Sequence, residues 1–259
     1  MGMETRAFDL SVSTYGEVRQ HEYEVVILPW GATEPHNLHL PYWTDSILAH
    51  DISVAAAKKA YDDDGVLTMV MPPVGFGAQN PGQRELPFCI HTRQSTQEAL
   101  LNDIVASLHH QGFRRLLIVN GHGGNQFKGM IRDLNVAFPD MMIASSEWYR
   151  QVNAKDYFEH PGDHADEIET SVMMYFHPKW VRLEDAGAGE GRQFRLQALR
   201  EGSVWMPRDW SHVTKDTGIG NPMASTAEKG KRFVEATIAV YAKFLREFAA
   251  MNDSSQLYE

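Results

Sequence analysis

Short apolar runs alternate with helix-forming stretches along this chain, and no other sequence feature limits its possible folds as strongly. The runs cover residues 25–30, 66–70, 116–119 and 141–144. Runs of this length that contain β-branched residues and end near Gly or Pro are typical of strands buried on both faces, as in parallel sheets. The pattern therefore predicts a sheet built from these four strands.

Helical patterns lie between and after these runs. Residues 45–61 are rich in Ala and periodic, with Thr44 as the expected N-cap. Ser followed three residues later by Glu, the capping-box pattern, predicts two further helix starts. The two pairs are Ser95 with Glu98 and Ser225 with Glu228. Because strands and helices alternate, we expect an α/β fold with a mostly parallel sheet covered by helices on both sides.

Charge and cysteine usage exclude several classes of protein. The chain has 34 acidic against 24 basic residues, a formal net charge of -10, and no basic cluster, so nucleic acid is not an expected partner. Cys89 is its one cysteine, which rules out an intramolecular disulfide and a zinc ribbon. It lies in an apolar run, and we expect a small buried residue there. No apolar segment is long enough to span a membrane, so we expect no membrane association and a cytoplasmic location.

The residues that follow the predicted strands are the place to look for a functional site, since ligands of open α/β sheets bind beyond the carboxyl ends of the strands. Glu34 and His36 follow the first strand, and Pro35 favours an extended backbone in which these two side chains point the same way. A carboxylate and an imidazole that converge suit Zn²⁺ or Mn²⁺. Asp45 follows at the start of a predicted helix, where an acid is also common for electrostatic reasons alone. His39 is either a ligand or a hydrogen-bonded loop histidine, and we favour the loop interpretation.

Two later segments add further candidates. The third strand ends in the turn Asn120-Gly121-His122-Gly123-Gly124-Asn125, whose glycines would let the backbone approach a ligand closely. Such a turn could also cradle a phosphate, but it lacks the glycine spacing of a dinucleotide site and the Lys of a P-loop. Residues 164–174 predict a buried helix, in which Glu169 needs a compensating partner such as a metal ion. Glu167 is expected to be a solvated acid of its first turn, and His164 is free to act on a substrate.

Together these segments resemble the creatininase (creatinine amidohydrolase) family. Three motifs carry the resemblance: Glu-x-His-x-x-His-Leu-Pro-x-x-x-Asp from Glu34, Asn-Gly-His-Gly-Gly-Asn from Asn120, and His-Ala-x-x-x-Glu-Thr-Ser from His164. Gly218-Ile219-Gly220-Asn221-Pro222, ahead of Ala227-Glu228-Lys229-Gly230, is similar to the family's C-terminal pattern. Several separate motifs in the same order would rarely match by chance.

The resemblance implies a three-layer α/β/α fold, a site for two divalent metal ions, Zn²⁺ and/or Mn²⁺, and assembly into a homohexamer. By motif match, Glu34 and His122 would bind one ion, His36 the other, and Asp45 would bridge them. His164 corresponds to the proton-transfer histidine of the family. Members hydrolyse cyclic or formyl amides, and related branches open other small rings.

Three places depart from the family pattern. Creatininases proper carry a metal-binding Glu where this chain has Gly124, and Glu169 is the natural replacement, both as metal ligand and as part of the catalytic site. Pro35 and Asn37 stand where the family usually has Gln and Gly around its first histidine. Asp166 replaces the usual Gly after His-Ala. These differences bear on the substrate, and on creatinine in particular, more than on the metal site.

We therefore expect a single domain over residues 1–259 that hydrolyses a C–N bond of a small cyclic or formyl amide with a metal-activated water. Two alternatives remain open: hydrolysis of a non-amide ring such as an inosose or another cyclic ketone, and a non-enzymatic binding protein on the same fold. Residues 186–212 show little periodicity and would form a lid or an oligomer contact. The aromatic candidates for a wall or lid around a small-molecule substrate are Trp148, Tyr149, Trp205 and Trp210.

Overall fold

A four-stranded sheet forms the centre of the computed structural model, which describes residues 4–259. The strands are β1 (Val25–Trp30), β2 (Thr68–Val70), β3 (Arg115–Asn120) and β4 (Met142–Glu147), in the spatial order β2-β1-β3-β4. Val26 of β1 lies opposite Met69 of β2 and Leu116 of β3. All three strand pairs are parallel, which confirms the predicted fold class.

The predicted strands lie close to the observed ones. β1 matches its prediction, and all of its residues are buried because helices cover both faces of this inner strand. β2 is shorter than predicted and begins at Thr68. β4 continues to Glu147, beyond the predicted end, because the polar residues of this half-exposed edge strand carry no apolar signal.

α-Helices lie before, between and after the strands. They are α1 (Tyr15–Val18), α2 (Thr44–Asp64), α3 (Gln94–His110), α4 (Phe127–Ala137), α5 (Glu167–Phe176), α6 (Gln197–Arg200), α7 (Trp210–Val213) and α8 (Ala227–Ala249). The long helix α2 ends at Gly65, whose φ of 75° is the left-handed conformation that glycine adopts at helix ends. Among the helices of residues 4–259, none has the length and apolar character needed to cross a bilayer.

The predicted starts of α2 and α3 are each wrong by a residue or more. Thr44 is the first helical residue of α2 rather than its N-cap, and its hydroxyl donates to the Pro41 carbonyl at 2.7 Å. α3 begins at Gln94, so Ser95 lies inside its first turn. In both cases the residue whose side chain suggested a cap already lies inside the helix.

The N-cap of α8 is Thr226, not Ser225. The side chain of Thr226 accepts a hydrogen bond from the Lys229 amide at 3.2 Å. The hydroxyl of Ser225 instead donates to the Glu167 carbonyl at 3.3 Å, across the contact between α5 and α8. A long-range contact therefore decides which of two neighbouring hydroxyls caps the helix, and the local pattern does not contain it.

Helices on both faces of the sheet give three layers. On one face α2, α5 and α8 pack over a core that includes Ile27 and Phe233. On the other face α3 and α4 pack over a core that includes Leu28 and Leu101. Neighbouring residues of β1 thus enter opposite cores, as the alternation of side chains along a strand requires. The α/β/α sandwich is confirmed, while a single domain over residues 1–259 stays a prediction.

Candidate metal centre

Two segments that leave adjacent strands at the same edge of the sheet carry most of the predicted site. Trp30 at the end of β1 pairs with Asn120 at the end of β3, so the segments that follow start side by side. Glu34, His36 and His122 lie on these segments, and all three are buried. The sheet therefore brings together residues that are far apart in the sequence.

Asp45 joins this cluster from the first turn of α2. Its Oδ2 lies 3.2 Å from Nδ1 of His122, and Oε1 of Glu34 lies 2.8 Å from the same nitrogen. The ligand atoms of these three residues all lie within 4.8 Å of one another. Two carboxylates and one imidazole at this spacing suit a divalent transition-metal ion.

A second group of potential ligands shares Asp45. Its other oxygen, Oδ1, lies 2.9 Å from Nε2 of His36, and Oε2 of Glu169 lies 4.0 Å from the same nitrogen. These three residues also place their ligand atoms within 4.8 Å of one another. The two oxygens of Asp45 thus face different groups of potential ligands.

The histidines of the cluster are held by backbone carbonyls. Each ring donates one N–H to a carbonyl oxygen, so its other nitrogen faces the carboxylates. This arrangement is typical of metal-binding histidines, since the carbonyl fixes both the tautomer and the ring orientation. The bonds run from His36 Nδ1 to Glu34 (3.1 Å), from His122 Nε2 to Ala78 (2.8 Å) and from His164 Nε2 to Pro35 (2.9 Å).

Two carboxylate oxygens at the centre of the cluster fit a bound cation. Oε1 of Glu34 and Oδ2 of Asp45 are fully buried, and neither accepts a hydrogen bond within the described part of the chain. Their contacts with Nδ1 of His122 are close but lack hydrogen-bond geometry. A buried carboxylate oxygen without a partner is costly, and a divalent ion compensates for it directly. The donor set and its unused oxygens therefore fit a metal centre.

Burial also shifts the acid–base equilibria of the cluster. It raises the pKa of Glu169 to about 8, since a charged carboxylate is poorly solvated there. Burial disfavours a charged His36, but Asp45 outweighs it and raises the pKa of His36 to about 10. In the metal-free protein these groups hold protons that a divalent ion would displace. Burial lowers the pKa of His164, which keeps its ring neutral at neutral pH.

Position 124 has no room for a side chain. A Cβ on Gly124 would lie 2.0 Å from the Ala78 carbonyl oxygen and 2.5 Å from Nε2 of His122. The carboxylate near His36 comes from α5 instead, as Glu169. With the loop after β2 packed in this way, a Glu side chain would not fit at this position.

Two backbone amides of the glycine-rich turn are used within the turn, which disfavours a phosphate site. The amide of His122 donates to the side-chain oxygen of Asn120 at 3.1 Å. The amide of Asn125 donates to the His122 carbonyl at 3.2 Å. These N–H groups are therefore not aimed at an anion.

The start of α5 holds three acids with separate roles. Asp166 caps the helix and accepts from the amides of Ile168 and Glu169. Glu167 was expected to be solvated, and this is wrong: it is 0% exposed and lies 2.6 Å from Nζ of Lys229. Because α8 packs against α5, it covers Glu167 and supplies the compensating charge.

His164 lies at the side of the cluster. Its ring centroid is 4.3 Å from that of His36, and its Nδ1 is 3.8 Å from Oε1 of Glu34. The indole ring of Trp210 meets it edge-on at 5.4 Å. His164 is thus close enough to the ligand groups to exchange a proton with a molecule bound there.

His39 behaves as a structural histidine. It is buried, and its Nε2 lies 2.8 Å from the hydroxyl of Thr170. Burial lowers the pKa of His39 to about 4. It ties the segment after β1 to α5 and belongs to neither group around Asp45, in agreement with the loop interpretation.

The aromatic candidates divide between core, surface and site. Trp148 is fully buried in the core with α8, and Trp205 is 82% exposed. Tyr149 is half-buried beside the same core. Trp210 alone of the four has a ring contact to a predicted catalytic residue, His164, in the part of the chain that the structure describes.

The segment 186–212 forms hydrogen bonds with loops next to the site. The side-chain amide of Asn37 donates to the Gly187 carbonyl and accepts from the Gly187 amide, at 3.2 and 2.8 Å. Further along, the backbone amide of Trp210 donates to the Pro81 carbonyl at 2.7 Å. These contacts agree with a lid, while an oligomer contact stays a prediction.

Sequence reasoning missed the residues of the loop after β2. Nε2 of Gln83 donates to Oε2 of Glu34, and the Ala78 carbonyl holds His122. This loop has no periodicity and no motif of metal-binding residues, so no signal in the chain alone marks it as part of the site.

The model of the creatininase family, described as creatinine amidohydrolase, matches residues 11–245. The chain belongs to the creatininase family. This confirms the resemblance carried by the motifs around Glu34, Asn120 and His164. Members of the family are hydrolases, so the protein is a creatininase-family hydrolase.

Curated relatives in this family carry three different activities. A mycofactocin precursor peptide peptidase from Mycobacterium ulcerans (strain Agy99) is 29% identical over 80% of this chain and 78% of its own length. A 3-dehydro-scyllo-inosose hydrolase from Thermotoga maritima is 24% identical over 88% of this chain and 79% of its own length. A creatinine amidohydrolase from Pseudomonas putida is 23% identical over 90% and 95%. Family membership therefore leaves the substrate open.

Solved structures share the fold. A protein from Bacteroides fragilis NCTC 9343, named as a candidate creatinine amidohydrolase, is 57% identical with a TM-score of 0.95 over 98% of this chain and 99% of its own. A creatininase in a Mn form is 21% identical with a TM-score of 0.77 over 95% of this chain and 100% of its own. The creatininase fold therefore includes the parallel sheet and helical layers described above.

Proposed function

We propose that this creatininase-family hydrolase is a metal-dependent amidohydrolase of the cytoplasm that cleaves a C–N bond of a small cyclic or formyl amide with water. The observation that supports this most directly is the pair of ligand groups that share Asp45. The proposal includes self-association, with a homohexamer as the family resemblance implies. Large apolar side chains exposed on loops beside the site, such as Trp43, Phe76 and Phe88, offer a surface for it.

Five residues would hold two divalent ions, Zn²⁺ and/or Mn²⁺. Glu34 and His122 would hold one, His36 and Glu169 the other, and Asp45 would bridge them, in agreement with the two groups of ligand atoms that include Asp45. Three carboxylates and two neutral imidazoles offset most of the four positive charges. The ions, when bound, would polarise the substrate carbonyl and lower the pKa of water in the site.

His164 would move the proton that hydrolysis requires. Its Nε2–H is tied to the Pro35 carbonyl, so Nδ1 is the nitrogen that faces Glu34 and the ligand groups. Because burial keeps the ring neutral, Nδ1 can take a proton from the attacking water and give it to the leaving nitrogen. The amide C–N bond breaks as a C–O bond forms, and the products are a carboxylic acid and an amine.

Opening of a ring ketone is the second candidate. The inosose hydrolase relative, 24% identical over 88% of this chain, favours it. The same metal ligands would serve both reactions, because each begins with attack of water on a carbonyl. The two candidates differ in the leaving group, which is nitrogen for an amide and carbon for a ketone.

A substrate panel separates these candidates. The panel would contain creatinine, a lactam, an N-formyl amino acid, a short peptide and an inosose, tested with metal-stripped and Mn²⁺- or Zn²⁺-loaded protein. We expect release of amine or acid from an amide, loss of activity on chelation, and a decrease of about 10²–10⁴-fold in kcat in His164→Asn with metal retained. Consumption of the inosose alone would support the second candidate. No turnover by fully loaded protein would contradict both.

A further inference from the structure

The side-chain amide of Gln79 is buried and unused. Gln79 is 8% exposed, and neither Nε2 nor Oε1 has a hydrogen-bond partner among residues 4–259. A primary amide has two donors and an acceptor, and leaving all of them unpaired in the interior is unfavourable. Such a group therefore calls for a partner that is not part of this chain.

Gln79 lies on a stretch that crosses the candidate metal centre. Ala78, directly before it, accepts a hydrogen bond from Nε2 of His122 at 2.8 Å. Gln83, four residues later, donates to Glu34. The stretch 77–83 thus touches both residues proposed to hold one ion, and Gln79 lies between the two points of contact.

A second unused hydrogen-bonding group lies on the segment that contacts this stretch, in the side chain of Trp210. The backbone amide of Trp210 donates to the Pro81 carbonyl at 2.7 Å, while its ring meets His164 at 5.4 Å. Nε1 of Trp210 is buried and has no partner in the described chain. Trp210 therefore contacts both the stretch 77–83 and His164, and it and Gln79 each carry an unsatisfied polar group. In a ligand-free protein, ordered water can form hydrogen bonds with such groups, and a bound ligand can replace that water.

Gln79 is no more enclosed than the ligand residues themselves. Glu34 and Asp45 are each 1% exposed, so the cluster also is closed to solvent. Any motion that admits a substrate to the cluster must displace a covering segment. The segment that carries Trp210 is bonded to the stretch 77–83 at Pro81, so a movement of this segment would also change the surroundings of that stretch.

The chemistry of the amide indicates which substrate it would bind. In a small ring amide the N–H and C=O lie cis, on one edge of the ring. The Gln side chain presents an acceptor and a donor on one edge as well, so the two can form a pair of parallel hydrogen bonds. A ring ketone of the same size offers the carbonyl but no N–H. A site built to pair with an N–H discriminates strongly against an analogue that lacks it.

We propose that Gln79 is a specificity-determining residue that pairs with the cis N–H and C=O edge of a ring amide. This inference rests on the proposed function and narrows it to cyclic amides with a free N–H.

The test compares the binding of two probes of the same shape, 2-pyrrolidinone and cyclopentanone, which differ by N–H against CH₂. Their affinities for the full-length, metal-loaded protein would be measured by NMR titration. We expect the lactam to bind at least tenfold more tightly, which corresponds to about 1.4 kcal/mol. Gln79→Met, which keeps length but removes the polar atoms, should reduce this preference to less than about threefold with metal content unchanged.

Two further variants protect the interpretation. Gln79→Glu keeps an acceptor for the N–H but loses the donor for the carbonyl, so both probes should bind more weakly while the lactam stays preferred. Gln111→Met, at the exposed end of α3, should leave the preference unchanged. If Gln79 had only a structural role, its substitution would change the stability or the metal content of the protein. It would not change the ratio of the affinities for 2-pyrrolidinone and cyclopentanone.

The outcomes separate this inference from the proposed function. Equal binding of the two probes, no binding of either, or an undiminished lactam preference in Gln79→Met would overturn the assignment of Gln79. A lactam preference that depends on Gln79, in a protein that hydrolyses no amide of the panel, would support the assignment and count against the proposed reaction.

Discussion

At the scale of single residues, close packing decides what the site can contain. Position 124 accepts no side chain without rearrangement, because the Ala78 carbonyl and the His122 ring occupy the space that a Cβ would need. Asp45 can serve two groups because its two oxygens face in different directions. The ligand types were predictable from the motifs, but the lack of space at position 124 and its cause become visible only when the loop after β2 is in place.

The packing around Gly124 leads to a prediction about stability. Gly124→Ala should lower the thermal midpoint, since overpacking against backbone costs about 1–3 kcal/mol. Gly129→Ala in α4 is the matched control, because a Cβ there meets nothing within 4 Å. That control should be neutral or stabilising by up to about 1 kcal/mol, as alanine favours helix more than glycine does. A Gly124→Ala variant as stable as the wild type would contradict the close packing.

At the scale of elements, the helices place buried acids at the site and also supply groups that pair with those acids. The N-cap and first turn of α5 hold three acids, Asp166, Glu167 and Glu169, and each has a different partner. Asp166 bonds to backbone amides, Glu167 pairs with Lys229 of α8, and Glu169 faces His36. Helix positions and apolar faces followed from periodicity, but these pairings depend on how α5 and α8 pack and were not predictable from either helix alone.

Another charged contact, on α2, predicts a pH dependence of stability. His50 lies 3.1 Å from Oδ1 of Asp9 and 3.4 Å from Oδ1 of Asp51, and Asp51 is also bound by His177. Burial disfavours the charged ring, but the two carboxylates outweigh it and raise the pKa of His50. Its stabilising contribution is therefore complete below the unfolded-state pKa of about 6.5 and is lost as pH rises through the higher folded-state value.

The expected result is a pH-dependent cost of His50→Gln. The loss in free energy of unfolding should be on the order of 1 kcal/mol at pH 6 and smaller at pH 9, measured by urea unfolding at equal metal content. His110→Gln at the exposed end of α3 should show no such trend. A cost of His50→Gln that grows with pH would mean that the carboxylates do not raise the pKa of His50.

At the scale of the whole molecule, the fold was more predictable than the closure of its site. Apolar runs in the sequence indicate the buried strands. Because β1 and β3 are parallel neighbours, the segments that follow Trp30 and Asn120 begin side by side. From these two features it could be predicted that Glu34, His36 and His122 lie close together. The loop with Gln79 and Gln83 was not predicted, and the segment with Trp210 was expected only as a lid or an oligomer contact. The backbone hydrogen bond that joins this segment to the loop at Pro81 leaves no trace in the side-chain pattern.

The proposed chemistry depends on this assembly holding two metal ions bridged by Asp45. The most direct test is metal content per chain after reconstitution with Mn²⁺ or Zn²⁺ and desalting, in the wild type, in Asp45→Asn and in the control Asp63→Asn at the other end of α2. We predict about two equivalents in the wild type and the control, as in other two-metal hydrolytic sites, and a loss from both positions in a folded Asp45→Asn. Wild-type protein that retains no metal, or an Asp45→Asn variant that retains the full amount, would contradict a two-metal centre bridged by this residue.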